Sequence, residues 1–159
     1  MARDGGTSPE RWPTNSLKGS DKLMITTDDT AALRARLADS LPLTSNLWQQ
    51  AFRTVPRHVF APRFARRDLT VGEFVHHDVT DPKARKSALA AVYSDDVLVT
   101  QFGDDGAATS SSTEPSLMAS MLEALDTEPG HNVLEVGTGT GSNAGLLCEA
   151  LGSDMVTTR

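Results

Sequence analysis

The sequence predicts an α/β fold: an N-terminal helical region followed by the first β-α-β unit of a Rossmann-like sheet, left incomplete within 159 residues. Three observations predict it. The apolar run Val133-Leu134-Glu135-Val136 leads directly into Gly137, Gly139 and Gly141. An apolar-periodic stretch then runs to Leu151 and stops at Gly152, a helix with a glycine at its C-terminal end. Met155-Val156-Thr157-Thr158 follows as a second short, β-branched run. Strand, glycine loop, helix, strand is the order in which a doubly wound sheet begins.

The upstream elements follow from spacing and punctuation. Residues 1–27 are rich in Gly, Ser, Pro, Thr and charge, and are expected to form a disordered tail. A helix is expected over 28–40, capped by Thr27 or Asp28, with Leu33 and Leu37 on one face. A second starts at Ser45 and carries Leu47, Trp48, Ala51, Phe52 and Val55 at helical spacing. Pro56 and Pro62 bracket a tight stretch, and Trp48 and Phe60 are expected to be core anchors. Residues 68–80 are ambiguous, with a short strand from Thr70 to Val75. Asp81-Pro82 should open a helix to about Ala91, and Val97 to Gln101 reads as a strand ending in a turn over Gly103–Gly106. Leu117, Met118, Met121, Leu122 and Leu125 define the face of a further helix, with Thr113 at its cap position and Pro115 in its first turn. The expected division is a tail (1–27), an N-terminal helical subdomain (28–108) and the start of a ligand-binding Rossmann-like domain (109–159).

Charge and composition exclude several classes. A net charge of −6 argues against general nucleic-acid or membrane-surface binding, which needs a basic patch. The local cluster Arg53, Arg57, Arg63, Arg66 and Arg67 reads as a solvated helix and loop face. The single cysteine, Cys148, lies in an apolar run and fits a buried thiol in a reducing cytoplasm. No apolar run approaches the ~18 residues of a membrane span. His76-His77-Asp78 does not suggest a metal site, because adjacent histidines on a strand point apart and no further ligand has suitable spacing.

Gly137, Gly139 and Gly141 permit a tight turn and let the backbone approach a ligand, while the following helix start offers unpaired N–H groups. That much suits any nucleotide-like ligand. The spacing departs from the dinucleotide fingerprint, and Ser142-Asn143 stand where a phosphate-binding loop would have its lysine. Glu135 would repel a phosphate and attract a ligand's ammonium group. The loop therefore favours a zwitterionic adenosyl ligand, with a nicotinamide oxidoreductase as the competing class.

Four segments taken together resemble the protein-L-isoaspartate O-methyltransferase family of class I S-adenosylmethionine-dependent methyltransferases. They are Val55-Pro56-Arg57-His58-Val59-Phe60-Ala61-Pro62, Tyr93-Ser94-Asp95-Asp96-Val97-Leu98, Ser112-Thr113-Glu114-Pro115-Ser116-Leu117-Met118-Ala119-Ser120-Met121 and Val133-Leu134-Glu135-Val136-Gly137-Thr138-Gly139-Thr140-Gly141. Any one is weak; four in order and spacing are specific. The resemblance covers about Ser45 to the C-terminus. It implies S-adenosyl-L-methionine as cofactor, held by Glu135, Gly137, Thr138, Gly139 and Gly141, and methyl transfer to an isoaspartyl carboxylate in a protein or peptide, followed by succinimide formation. It implies a catalytic hydroxyl at Thr113, with Ser112 beside it. Thr113 and Glu114 replace the family's usual Ser-Gln, and Thr113 reads equally as a helix cap.

The Ser110-Ser111-Ser112-Thr113-Glu114-Pro115 version also resembles relatives that modify aspartate in ribosomally made peptides such as lanthipeptides and graspetides. No metal, nucleic acid or membrane partner is implied. The family's sheet has about seven strands and the second ends in a ribose-binding acid; here Thr158-Arg159 stand about there. A truncated chain that is marginally stable, prone to associate and weak or inactive is the corresponding expectation.

Overall fold

The computed structural model describes residues 30–159. The expected tail at 1–27 and the caps Thr27 and Asp28 lie outside them. Helix α1 (Ala31–Ser40) starts after Thr30, whose side chain makes no capping bond. It turns Leu37 and Ala38 inward, together with Arg34. Helix α2 (Asn46–Thr54) begins at the expected place: the Ser45 hydroxyl accepts from the Leu47 N–H at 3.2 Å. Its inner face carries Trp48, Ala51 and Phe52, all buried. One short turn, α3 (Arg57–Phe60), fills the interval between the two prolines.

A four-stranded antiparallel sheet follows; the expectation of a helical subdomain held one of its strands in place, Val97–Gln101, and part of a second, but not the sheet. Its order is β2-β1-β3-β4. Strand β1 (Arg63–Arg67) pairs along its length with β2 (Phe74–Asp78), from Arg63 opposite Asp78 to Arg67 opposite Phe74. The strand expected over Thr70–Val75 starts later: residues 70–73 belong to the turn of this hairpin, and only Phe74 and Val75 fall in β2. The Asp68 carboxylate accepts from the Thr70 and Val71 N–H groups, and Gly72 adopts φ +76°, a left-handed conformation that glycine takes without a Cβ clash. Strand β3 (Leu98–Phe102) lies beside β1 and pairs with β4 (Ala108–Ser112) across the Gly103–Gly106 turn.

Between β2 and β3, helix α4 (Arg85–Val92) begins later than Asp81-Pro82 suggested, because the Asp81 carboxylate accepts from the Lys83 N–H and forms a turn first. Helix α5 (Pro115–Ala124) has Pro115 in its first turn as expected. Its anticipated apolar face is split: Ala119 and Leu122 are buried, whereas Leu117, Met121 and Leu125 are exposed. Strand β5 (Val133–Glu135), helix α6 (Ser142–Leu151) and strand β6 (Val156–Thr158) form the expected β-α-β unit, with β5 and β6 parallel and Val133 opposite Val156. Gly152 ends α6 with φ +97°.

One core joins these parts. Leu146, Leu147 and Leu151 of α6 cluster with Trp48 and Phe52 of α2, Phe64 of β1, Leu98 of β3 and Leu122 of α5. The glycine loop is thereby fixed against the N-terminal helices, and the contact is closest where Phe60 lies on α6: a Cβ on Gly145 would stand 2.8 Å from the ring.

Candidate cofactor and substrate site

The loop between β5 and α6 is built from three glycines with positive φ: Gly137 at 78°, Gly139 at 56° and Gly141 at 82°. Such angles cost an L-residue roughly 1–2 kcal/mol, so glycine at all three reflects backbone geometry. The loop is pinned at both ends. The Gly137 N–H donates to the Arg159 carbonyl at 2.7 Å, and the Gly141 N–H donates to the Thr138 carbonyl at 2.9 Å.

Polar satisfaction fails within this loop. Glu135 Oε1 accepts from Asn143 Nδ2 at 2.7 Å, but Glu135 Oε2, Asn143 Oδ1 and Thr138 Oγ1 are buried without a partner. They are three of the five such side-chain atoms among the described residues, and they surround one turn. Buried polar atoms are nearly always paired, and each exception costs about 1–3 kcal/mol. Two orphaned acceptors from an acid and an amide, beside a hydroxyl, make a place for a group rich in N–H donors. Asn143 was not among the residues singled out from sequence. Its only signal there is its position one helical residue beyond Ser142, which turns it back over the strand end.

Thr113 and Ser112 lie on the other side of a cleft that also takes in Arg57, Tyr93, Met118 and Ser142. Ser142 is the first residue of α6, so the two expected hydroxyls and the helix after the glycine loop border the same space. Neither the Thr113 nor the Ser112 hydroxyl has a hydrogen-bond partner among the described residues. The cap expected of Thr113 is therefore not formed. Glu114 occupies the N-cap position of α5, without a capping bond from its own side chain. The Ser116 N–H is capped instead from another segment, by Asp95 Oδ1 at 2.8 Å.

Arg57 does not belong to a solvated face. Its side chain is buried, and its guanidinium donates to the carbonyls of Val92, Ser94, Asp96 and Thr113 at 2.9–3.1 Å. Burial lowers its pKa to about 10, against the opposing pull of Asp95 and Asp96, so it stays charged at neutral pH. The other arginines of the cluster are partly engaged as well: Arg66 pairs with Asp96 and Arg53 with Asp39. Next to Arg57, buried His58 shares a hydrogen bond of 2.6 Å between Nδ1 and the Tyr93 hydroxyl. Burial, and then Arg85 and Arg34, hold His58 below the usual histidine pKa. On β2, His77 stacks on Phe64 and His76 lies against Phe102.

The sequence profile of protein-L-isoaspartate (D-aspartate) O-methyltransferase (PCMT) matches residues 78–158. The protein-L-isoaspartate O-methyltransferase of Thermotoga maritima is 45% identical over 64 residues, 40% of this chain and 20% of that protein. The enzyme of that name from Methanopyrus kandleri is 32% identical over 125 residues, 76% of this chain and 42% of its own length. A solved structure of a protein-L-isoaspartate O-methyltransferase superposes with a TM-score of 0.53 at 26% identity, covering 80% of this chain and 32% of that one. The chain thus spans less than half the length of these relatives. The match runs from β2 to β6 and so includes Thr113, the glycine loop and α6; with that span and with the shared fold, the chain belongs to the protein-L-isoaspartate (D-aspartate) O-methyltransferase family.

Proposed function

We propose that the glycine loop binds S-adenosyl-L-methionine and that the chain forms part of a carboxyl O-methyltransferase acting on isoaspartyl or aspartyl residues of proteins or peptides. The observation that carries this reading is the group of orphaned polar atoms at Glu135, Thr138 and Asn143. An α-ammonium group carries a positive charge and three N–H donors, which answer a carboxylate oxygen and an amide oxygen together. Gly137, Gly139 and Gly141 would let backbone approach the ligand without side chains between. When bound, the cofactor supplies a methyl group already activated on a sulfonium.

The chain's own residues then have limited chemistry to perform. A substrate carboxylate is ionised at neutral pH and needs no base. Thr113, with Ser112 beside it, would donate a hydrogen bond that orients that carboxylate, and the apolar side chains of Leu37, Phe52, Met118 and Leu146 around the cleft would exclude water. In this reading residues 28–108 are the N-terminal subdomain and 109–159 begin the cofactor domain. A cytoplasmic location accompanies it; no described helix is long and apolar enough to cross a membrane.

Thr113-Glu114 in place of Ser-Gln supports a second reading, an aspartate methyltransferase that tailors a ribosomally made peptide. A neighbouring gene for a precursor peptide would favour it over repair of damaged proteins. Calorimetric titration of the chain with S-adenosylhomocysteine and with NAD tests the cofactor. The expected result is binding of the former in preference to the latter, and preference for NAD would overturn the reading. Transfer of labelled methyl groups to an isoaspartyl peptide separates a working enzyme from a chain of this family without turnover.

A further inference from the structure

Thr113 has no side-chain hydrogen bond among the described residues, and yet the backbone that follows its Cα is held at two points. Its carbonyl accepts from Arg57 Nη2 at 2.9 Å. Three residues on, the Ser116 N–H donates to Asp95 at 2.8 Å. These two anchors are one assembly. Arg57 also donates to the carbonyls of Ser94 at 3.1 Å and Asp96 at 3.0 Å, the residues that flank Asp95. A single planar guanidinium therefore fixes Thr113 directly and fixes, through the 94–96 segment, the carboxylate that caps the helix starting just after Thr113.

We infer that Arg57 is a positioning residue, and that with Asp95 it forms a clasp that sets the Thr113 hydroxyl in the cleft facing the start of α6. The inference rests on the proposed role of Thr113 in the preceding section. Its physical basis is the fork of guanidinium donors. Four carbonyls from two stretches of chain, residues 92–96 and Thr113, are reached at once, which a tetrahedral ammonium with three donors cannot reproduce. One of the four partners, Thr113, lines the cleft, and its hydroxyl has no hydrogen-bond partner among the described residues.

The test uses Arg57→Lys and, because that variant carries the risk of misfolding, Asp95→Ala at an exposed position where loss of the fold is not expected. Hydrogen exchange is followed at the Ser116 amide and at Leu147 in the core of α6, together with S-adenosylhomocysteine affinity and methyl-transfer kinetics. In both variants the Ser116 amide should exchange about tenfold faster with Leu147 unchanged, a local opening and not a global one. Cofactor affinity should stay within about twofold, and kcat should fall about tenfold or more with little change in KM for the cofactor, as misplacement of an orienting group requires. Equal acceleration at Ser116 and Leu147 would reduce Arg57 to a stability role and overturn the inference, as would unchanged exchange in Asp95→Ala. If the unmodified chain binds NAD in preference to S-adenosylhomocysteine, the proposed function fails, while the exchange data still decide whether the clasp exists.

Discussion

Gly145→Ala should destabilise the protein, although the same change in an open helix would stabilise it. In an exposed helix interior, alanine is better than glycine by about 1 kcal/mol. Gly145 is in the interior of α6, but an ideal Cβ there would stand 2.8 Å from Cζ and 3.3 Å from Cε2 of Phe60, and 3.3 Å from Cγ1 of Val55. Favourable carbon–carbon contact begins near 3.5 Å, so the ring and the helix must separate by a sizeable part of an ångström. The ring has little room to yield: it also lies 3.6 Å from the Cβ position of Gly141, and its short helix α3 begins at the buried Arg57. Overpacking of this kind costs about 1–3 kcal/mol. Taking the upper part of that range and subtracting the propensity gain leaves a net loss of about 1–2 kcal/mol. For a chain of this size that corresponds to a fall in Tm of roughly 3–6 °C. Thermal unfolding followed by circular dichroism measures it. The reasoning also fixes the double variant: in a Phe60→Leu background the ring is gone, and Gly145→Ala should become neutral or stabilising. A rise in Tm for Gly145→Ala alone, or the same loss in both backgrounds, would refute the steric account.

Two further outcomes follow from groups that hold segments distant in sequence. Glu123 of α5 accepts from the Thr44 and Ser45 N–H groups and the Thr44 hydroxyl, and so caps α2 from another helix. These bonds, the one from Ser45 foremost, hold its carboxyl below the usual glutamate value. The stability it contributes is present above the unfolded pKa near 4.3 and is lost as pH falls through the lower folded value; Glu123→Gln should cost up to about 1 kcal/mol at neutral pH in chemical denaturation and remove that part of the acid dependence. His58 is buried, bonded to Tyr93 and held below its ordinary value, so the folded state keeps it neutral while the unfolded state takes up a proton. Its contribution is complete above about pH 6.5 and declines as pH drops below that; His58→Gln should flatten the denaturation midpoint over that window, and an unchanged slope would exclude His58 as its source.

What was legible in the sequence is what local rules govern. The β5-loop-α6-β6 unit announced itself through glycine, period and stop signals, and α2 through its serine cap. Of the antiparallel sheet, β3 did so through its β-branched run, but β1 and β4 did not. Strand β1 is Arg-Phe-Ala-Arg-Arg, and its three arginines read as a solvated face; only pairing with β2 and β3 makes it a strand. Strand β4 is Ala-Thr-Ser-Ser-Ser, with no large apolar residue, and it is held by hydrogen bonding to β3. Buried Arg57 was hidden for a related reason: its carbonyl partners come from 35 to 56 residues away, and no local pattern records them. The helix cap at Ser116 was misassigned to Thr113 because proximity in sequence favoured it, whereas Asp95 is supplied by the tertiary fold.

Arg57 and Glu135 show how differently this chain treats two charged groups. Arg57 is almost fully enclosed, and its two terminal nitrogens donate to four carbonyls, so its burial is compensated inside the protein. Glu135 has one oxygen bonded to Asn143 and the other enclosed with nothing to accept from, next to an equally orphaned amide oxygen. The first arrangement is what a structural charge requires, since an uncompensated one would cost several kcal/mol. The second leaves unmade interactions of the same kind at a loop whose glycines keep side chains out of the way. A fold able to surround a guanidinium with acceptors does not lack the means to supply a carboxylate with donors. The deficit sits at the end of β5, where the methionine-like ammonium proposed above would bring both N–H donors and positive charge to Glu135.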